Sequence, residues 1–377
     1  MSPSNAPIDA ARVSERLAAL PGIERLRETA AGTRAYLVGG AVRDLLLGRE
    51  RTDIDVAVEG DVRRLAERLG GETRTHERFA TATVRLDGVV VDLAATRSET
   101  YAHPGALPEV EPASLADDLA RRDFTVNAMA LPLVGDPQLI DPHGGLGDLE
   151  RGELRVLHPG SLRDDPTRAL RAARYAARYG FTLEAETAKL IRAANLSTVS
   201  TDRIEAELRK LAAEPDARRG FELLGEWGLL EIGPDAAELT DAVAAILGAE
   251  PWAGIATREE AVLAAALGRG VREARELVTV EPATPSEGVE LARGRSGVEL
   301  VLARAMGARW LDAYVSEWRH VRLDIDGNDL IAEGIEPGPA VGRGLAEALR
   351  AKLDGEIAGA DEELRAALAA ARENPAA

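Results

Sequence analysis

The stretch Tyr36-Leu-Val-Gly-Gly-Ala-Val-Arg-Asp-Leu-Leu-Leu-Gly-Arg-Glu-Arg-Thr-Asp-Ile-Asp-Val-Ala-Val-Glu-Gly60 decides how the rest of this chain is read. Residues 36–38 are a short apolar run of the kind that forms a buried strand. Gly39-Gly40 follows, then a helical pattern over 41–47. A glycine pair between strand and helix lets backbone N–H groups approach a phosphate, and the helix start favours negative charge. Arg43, in the first helical turn, adds a cation. Over 53–58 the pattern alternates, so Ile54, Val56 and Val58 share one strand face and Asp53 and Asp55 the other. Two such carboxylates repel unless a cation lies between them. Mg²⁺ fits, because it takes hard oxygen ligands from one or two carboxylates and from substrate phosphates. The stretch therefore reads as a phosphate cradle and a metal platform within one βαβ-like unit. Taken singly, a glycine pair is most often a plain turn and an Asp-x-Asp a solvated strand edge. Both together, in this order, are far more specific.

Bulk composition narrows the class. A chain of 377 residues can build two or more cores. No apolar run approaches the roughly 18 residues of a membrane span, and the first ten residues lack the basic and apolar regions of a secretory signal. There are no cysteines, which excludes disulfides, thiolate metal sites and a cysteine nucleophile and fits a cytoplasmic protein. The net charge of −18 runs against a general nucleic-acid grip, but charge is uneven: residues 151–220 hold 14 Arg and Lys against 10 Asp and Glu. All but three of the basic residues, Lys189, Lys210 and Lys352, are arginines, which suit bidentate recognition of phosphates and bases. An acidic body with one basic segment is still compatible with holding RNA locally, with modest and salt-sensitive affinity.

Outward from the opening stretch, residues 10–20 read as an amphipathic helix in a leader without chemistry, and 61–69 as a helix. Strands over 82–86 and 89–93 flank Asp87-Gly88, a hairpin signal of type I′. Asp92, on the second of these, is either a third carboxylate near Asp53 and Asp55 or a polar strand-end residue. Arg97, Glu99 and Tyr101 open a loop-like, proline-containing segment to about residue 112. In Asp117-Asp118-Leu-Ala-Arg-Arg-Asp-Phe-Thr-Val-Asn-Ala-Met-Ala130, Arg122 is suited to a triphosphate and Asn127 to a ribose hydroxyl. Asp141-Pro-His-Gly-Gly-Leu-Gly-Asp-Leu149 is rich in turn formers and resembles a hinge motif between domains, of which His143 would be a polar group.

From 151 the chain turns helical. Asp165-Pro166 reads as helix cap and first residue, with Arg168, Arg171, Arg174 and Arg178 following. The bland interpretation is a cap followed by solvated arginines. The functional one is that Asp165 and Arg168, a carboxylate and a guanidinium one turn apart, match the Watson–Crick edges of both cytosine and adenine. Steps of three residues wind around a helix, so Asp165 and Arg174 are expected to start on opposite sides. Further helices are expected over 202–213, 221–230, 241–247, 259–267 and 297–318. Asp324-x-Asp326 lacks a phosphate loop and reads as turn chemistry; residues 321–377, with 12 acids against 6 bases, are poorly suited to a tight phosphate grip.

These motifs resemble the class II tRNA nucleotidyltransferase and bacterial poly(A) polymerase family of polymerase-β-like enzymes. Its signature Gly-Gly-x-Val-Arg-Asp, Leu-Leu-Gly and Asp-x-Asp matches residues 39–55, and its Arg-Arg-Asp-Phe-Thr-x-Asn-Ala matches 121–128. Arg97-x-Glu99-x-Tyr101 resembles the family's flexible loop. Asp164-Asp165-x-x-Arg168 resembles Glu-Asp-x-x-Arg, and Asp202 to Glu207 a brace of Glu-Arg-x-x-x-Glu, each with Asp for the first Glu.

The resemblance implies an α+β fold: a polymerase-β-like nucleotidyltransferase head, a small mixed sheet with helices, followed by an all-α neck, body and tail. The expected boundaries are a leader over 1–30, the head over 31–150, the neck over 151–215, the body over 216–320 and an acidic tail over 321–377. The implied activity is template-independent addition of CMP and AMP, from CTP and ATP, to the 3′ end of the tRNA acceptor arm by two-metal transfer. Catalysis falls to Asp53, Asp55 and Asp92, with Mg²⁺ on Asp53 and Asp55. Nucleotide binding falls to Gly39, Gly40, Arg43, Arg122, Asn127, Asp165, Arg168, Arg171 and Arg174. Within the class the alternatives are an A-adding or CC-adding enzyme of a split pair and a poly(A) polymerase; the family links the 97–101 loop to A addition. Outside it stand a non-catalytic RNA-binding protein on this scaffold, disfavoured by the intact Asp-x-Asp, and a small-molecule nucleotidyltransferase, disfavoured by the long helical part.

Overall fold

The computed structural model describes residues 10–49, 53–76, 80–86 and 88–373, with backbone alone at 10–12, 53, 76 and 86. The expected turn residue Asp87 lies outside the described residues. The chain divides into two compact units, 1–216 with 223–230 and 217–222 with 231–377.

In the first unit, strands β1 (Arg34–Val38), β2 (Asp53–Glu59), β3 (Glu72–His76), β4 (Thr81–Leu86), β5 (Val89–Ala95) and β8 (Ala130–Pro132) form one mixed sheet in the order β3-β4-β5-β2-β1-β8. β2 and β5 are parallel and the other neighbours antiparallel. Alternation buries Leu37, Ile54, Val56, Val84, Val91 and Leu93 on one face. Helices α3 (Gly40–Leu46) and α4 (Val62–Leu69) cover that face, and each fully buried Leu or Val there contributes about 1.5–3 kcal/mol. On the opposite face Val38, Ala57 and Ala130 pack with Leu115 and Leu119 of α5 (Leu115–Ala120).

The βαβ-like expectation for 36–58 is corrected here. β1 and β2 pair antiparallel, with Leu37 opposite Val56, because the chain turns back at the same end of the sheet instead of crossing over it. This pairing puts the end of β1, where Gly39-Gly40 begins, beside the start of β2, where Asp55 sits. A parallel crossover would have separated them by the length of a strand.

The leader forms α1 (Ala10–Ala18) and α2 (Ile23–Thr29), one helix more than expected. Arg16 donates to the carbonyls of Leu45 and Leu46, the open C-terminal end of α3, at 3.1 and 2.8 Å. The segment expected to be loop-like over 97–112 instead holds an antiparallel ribbon, β6 (Arg97–Thr100) with β7 (Glu109–Pro112). After α6 (Gly145–Arg151), the segment expected to be all-α contains a short parallel pair, β9 (Glu153–Leu154) and β10 (Thr182–Leu183). Around that pair lie α7 (Ser161–Asp164), α8 (Thr167–Tyr179), α9 (Ala185–Arg192) and α10 (Thr201–Ala212). α8 is built from Ala, Leu and Arg, all good helix formers, and ends at Gly180 in the left-handed region at φ +72°.

The second unit is helical among its described residues. Helices at Ala236–Leu247, Arg258–Leu267, Val271–Val278, Pro285–Ala292, Gly297–Ala305 and Leu311–Ser316 share a core of Val243, Trp252, Ala261, Val301, Leu302 and Leu311. The single helix expected over 297–318 is broken, with Gly307 at φ +120° in the gap. The last three helices, Gly327–Ala332, Pro339–Leu353 and Ala360–Arg372, enclose Leu330, Ala348 and Ala367. Asp326 caps the first of them through the Asn328 N–H at 2.7 Å, the turn chemistry expected, whereas Asp324 instead makes a long-range ion pair with Lys352. No helix among the described residues is long and apolar enough to cross a membrane.

Candidate active site

A cleft of about 770 Å³ opens in the first unit where the turn after β1, the exposed row of the sheet and α8 meet. Gly39 sits at φ +64°, and a Cβ there would stand 2.5 Å from Arg122 Nη1. Only glycine adopts this turn without strain while letting the guanidinium lie over it. Gly40 starts α3 and also lines the cleft.

Across the sheet, register brings acidic and hydroxyl groups into one row. Asp55 is the partner of Asp92 on the parallel strand β5, and Thr83 is the partner of Asp92 on β4. Thr83 Oγ1 donates to Asp92 Oδ1 at 2.6 Å. Both carboxylates line the cleft. Asp53 stands two residues before Asp55, paired with Val90. Among the described residues no three acidic or histidine side chains are grouped to hold a metal ion; the described acidic site is the pair Asp55 and Asp92. Two hard-oxygen donors on adjacent strands, open to a cleft with room for phosphates, suit Mg²⁺, which binds through few carboxylates and keeps substrate oxygens and water.

The 118–127 block supplies arginines and the carboxylates that order them. Asp118 is 1 % exposed and receives Arg121 at 2.7 Å and Arg122 at 2.8 Å. Burial would raise its carboxyl pKa, but Arg122 and then Arg121 outweigh burial and hold it below the usual range. Arg121 also reaches Glu99 at 2.7 Å, and Glu99 accepts from the Tyr101 hydroxyl at 2.9 Å. The Tyr101 phenol, buried and beside Glu99, is pushed up to about 12. Asp123, buried, accepts from Asn127 Nδ2 at 2.9 Å and from Arg171 Nε and Nη2 at 2.8 and 2.7 Å. Burial opposes its ionisation, and Arg171 more than compensates, so it too stays well below the usual carboxylate range.

The two base-reading candidates, Asp165 just before α8 and Arg168 in its first turn, are also held by groups on other elements. Asp165 accepts from the Thr167 N–H at 3.0 Å, so it caps the helix as expected, although the helical residues begin at Thr167 and not at Pro166. Arg203 of α10 donates to Asp165 Oδ1 at 2.9 Å and to the Gly105 carbonyl at 2.8 Å. Arg168, 5 % exposed, donates to Ser161 Oγ at 2.5 Å and to the Arg121 carbonyl at 2.7 Å. Arg203 and Glu207 do not pair with each other as i,i+4 neighbours; Glu207 faces Arg171 and Arg174 at 3.8 and 3.9 Å.

Two expectations change. Asp165 and Arg174 were to start on opposite sides of the helix, yet Asp165, Arg168, Arg171 and Arg174 all line one cleft. Asp165 precedes the helix with φ −133°, ψ 93°, so helical spacing does not govern it, and long arginine stems reach around the rest. Arg43 was expected to meet phosphate. It is 4 % exposed and engaged by Asp44 at 2.9 Å, Asn127 Oδ1 at 2.5 Å and the Tyr179 hydroxyl at 2.5 Å, and it lies 4.3 Å from the Tyr179 ring centroid. Sequence reasoning did not single out Asp118, Asp123, Tyr175 or Tyr179 as site residues. Three acids among the arginines of 117–123 were the available signal for the first two. Arg122 Nε and Arg174 Nε, by contrast, are buried with no hydrogen-bond partner among the described residues. Both residues belong to the cleft wall, although the two Nε atoms themselves are closed off from it.

Glycine turn, acidic strand row and arginine-lined wall on a mixed sheet define a polymerase-β-like nucleotidyltransferase head. Residues 35–155 match the family model described as poly A polymerase head domain, and 180–239 the one described as probable RNA and SrmB- binding site of polymerase A. The CC-adding tRNA nucleotidyltransferase of Deinococcus radiodurans is 36 % identical over 93 % of this chain and 93 % of its own. The A-adding tRNA nucleotidyltransferase of Halalkalibacterium halodurans is 42 % identical over 54 % of this chain and 51 % of its own. A solved structure of a CCA-adding enzyme in its apo form superposes with TM-score 0.80 at 29 % identity, covering 95 % of this chain and 98 % of that one. This chain belongs to the tRNA nucleotidyltransferase family and is an enzyme of that family.

Proposed function

We propose that this enzyme adds both CMP and AMP, from CTP and ATP, to the 3′ end of tRNA without a nucleic-acid template, and that it works in the cytoplasm. The observation that carries the proposal is one cleft lined by the acidic pair, by Arg122 and Arg174 and by the Asp165–Arg168 pair together. The head over 31–150 carries the chemistry and the neck over 151–215 reads the base.

In this mechanism Asp55 and Asp92, with Asp53 beside them on β2, hold Mg²⁺. The metal, when bound, lowers the pKa of the attacking 3′ hydroxyl and neutralises the triphosphate. The Arg122 and Arg174 guanidinium groups, in the cleft wall, supply positive charge to the phosphate oxygens, and the backbone at Gly39-Gly40 approaches the same oxygens. Asn127 spends one N–H on Asp123 and one lone pair on Arg43, which leaves one of each for a ribose hydroxyl. Asp165 accepts from the exocyclic amino group of cytosine or adenine, and Arg168 donates to a ring nitrogen or carbonyl. Both bases share that donor and acceptor pair, whereas uracil and guanine present the reverse order.

A CC-only enzyme is the second candidate, favoured by the near full-length match to a relative of that name. Glu99 and Tyr101 favour the double specificity, since both line the cleft near Asp165. Purified protein with tRNAs ending before C, CC or A, given CTP and ATP separately, tests this. Extension of the first by CTP and the last by ATP is expected; failure to add A would assign the CC-only activity.

A further inference from the structure

A ring of contacts, closed through the backbone of α8, passes through Asn127. It runs from the Tyr179 hydroxyl to Arg43 Nη2 (2.5 Å), from Arg43 Nη1 to Asn127 Oδ1 (2.5 Å) and from Asn127 Nδ2 to Asp123 Oδ1 (2.9 Å). Asp123 Oδ2 then accepts from Arg171 at 2.7 Å, which returns the ring to α8 eight residues before Tyr179. Arginine only donates and an ionised carboxylate only accepts, so the two neighbours dictate which way the Asn127 amide faces. With its Oδ1 turned to Arg43, the amide keeps one N–H to offer.

We propose that Tyr179 is a positioning residue for ribose selection: its hydroxyl holds Arg43, Arg43 fixes the Asn127 amide, and the amide distinguishes a ribonucleotide from a 2′-deoxyribonucleotide. The proposal rests on the assignment of Asn127 to the ribose. The hydroxyl is the specific part. It accepts from Arg43 and donates to Asp44 Oδ1 at 2.9 Å, so it joins α3 to the end of α8 at one point. The ring has a separate task. It stacks on Phe181 at 5.2 Å between centroids and lies under Arg43 and Arg49 at 4.3 and 4.6 Å. Tyr179→Phe therefore deletes the hydroxyl's bonds and keeps the packing. Arg43→Lys removes the fork that spans Asn127, Asp44 and Tyr179, since a single ammonium cannot reproduce a planar guanidinium.

The test compares kcat/KM for CTP and 2′-deoxy-CTP on a tRNA ending before the first C. In Tyr179→Phe the CTP preference is expected to fall about three- to tenfold, the effect of one lost hydrogen bond. The ratio of CTP to UTP, which the base-reading pair sets, is expected to stay where it is. Arg43→Lys lowers the sugar preference as well, and the double variant lowers it no further than Arg43→Lys alone. Purely structural damage would move both ratios or neither. If Asn127→Ala abolishes the sugar preference while Tyr179→Phe leaves it intact, the role of Tyr179 is overturned and Asn127 keeps its assignment. If Asn127→Ala also leaves it intact, both fall. Independent, additive losses in the double variant would likewise overturn the coupling.

Discussion

Replacing Arg203 by alanine tests whether the Asp165 carboxylate, proposed above to read the base, is held in place by the neighbouring helix. Arg203 Nη2 donates to Asp165 Oδ1 at 2.9 Å, and its other nitrogen donates to the Gly105 carbonyl at 2.8 Å. The Asp165 carboxylate thus has one oxygen engaged by Arg203 and Thr167. A hydrogen bond to a charged group contributes about 1.5–3 kcal/mol. The Arg203 and Asp165 side chains are 24 % and 19 % exposed, so solvent screening reduces this to roughly 1 kcal/mol. Spread over a looser carboxylate, that amounts to about a fivefold loss in discrimination. The assay is single-turnover incorporation of each of the four nucleoside triphosphates on one tRNA. The expected result is a fall in the CTP-to-UTP ratio of about that size, with Arg203→Lys intermediate because one ammonium cannot serve both partners. Unchanged discrimination in Arg203→Ala would refute the bracing role, whatever its effect on overall rate.

Other outcomes follow from the same geometry. Asp123→Asn takes the charge from the buried partner of Arg171, whose own side chain is 32 % exposed, and is expected to cost about 1–3 kcal/mol in denaturant unfolding. Asp118 and Asp123 both have folded-state pKa values depressed below their unfolded ones, so the stability they contribute is fully present above the unfolded value of about 4 and is lost as pH falls through the folded values. Melting curves from neutral to acid pH check this: the gap between wild type and Asp123→Asn should narrow only below about pH 4. Gly39→Ala forces an alanine into a left-handed turn and a Cβ against Arg122 Nη1, a flexible end that can move aside. The cost is about 1–2 kcal/mol in stability, with a raised KM for both nucleotides in steady-state kinetics.

Much of the site was legible because its parts are local. The glycine turn, the alternation over 53–58 and the Asp165–Arg168 spacing each depend on a few adjacent residues. The strand pairing was not, since β1 and β2 could be parallel or antiparallel by sequence alone, and only the fold put Asp55 next to Gly39-Gly40. The ribbon at 97–112 was read as loop because its prolines and glycine mask two four-residue strands. The division of labour among the arginines was hidden for another reason. Arg43, Arg122 and Arg174 are chemically identical in sequence, and only burial and partners separate a guanidinium saturated by Asp44, Asn127 and Tyr179 from two with an Nε–H still unpaired. The break at Gly307 escaped because helical periodicity resumes after it.

The most direct measurement is extension of tRNA by a variant in which Asp55 and Asp92 are both alanine, with CTP binding followed separately by equilibrium dialysis. Chemistry driven from the acidic strand row predicts a folded protein that still binds CTP but yields no extended tRNA. Extension at a rate near that of the wild type would contradict it.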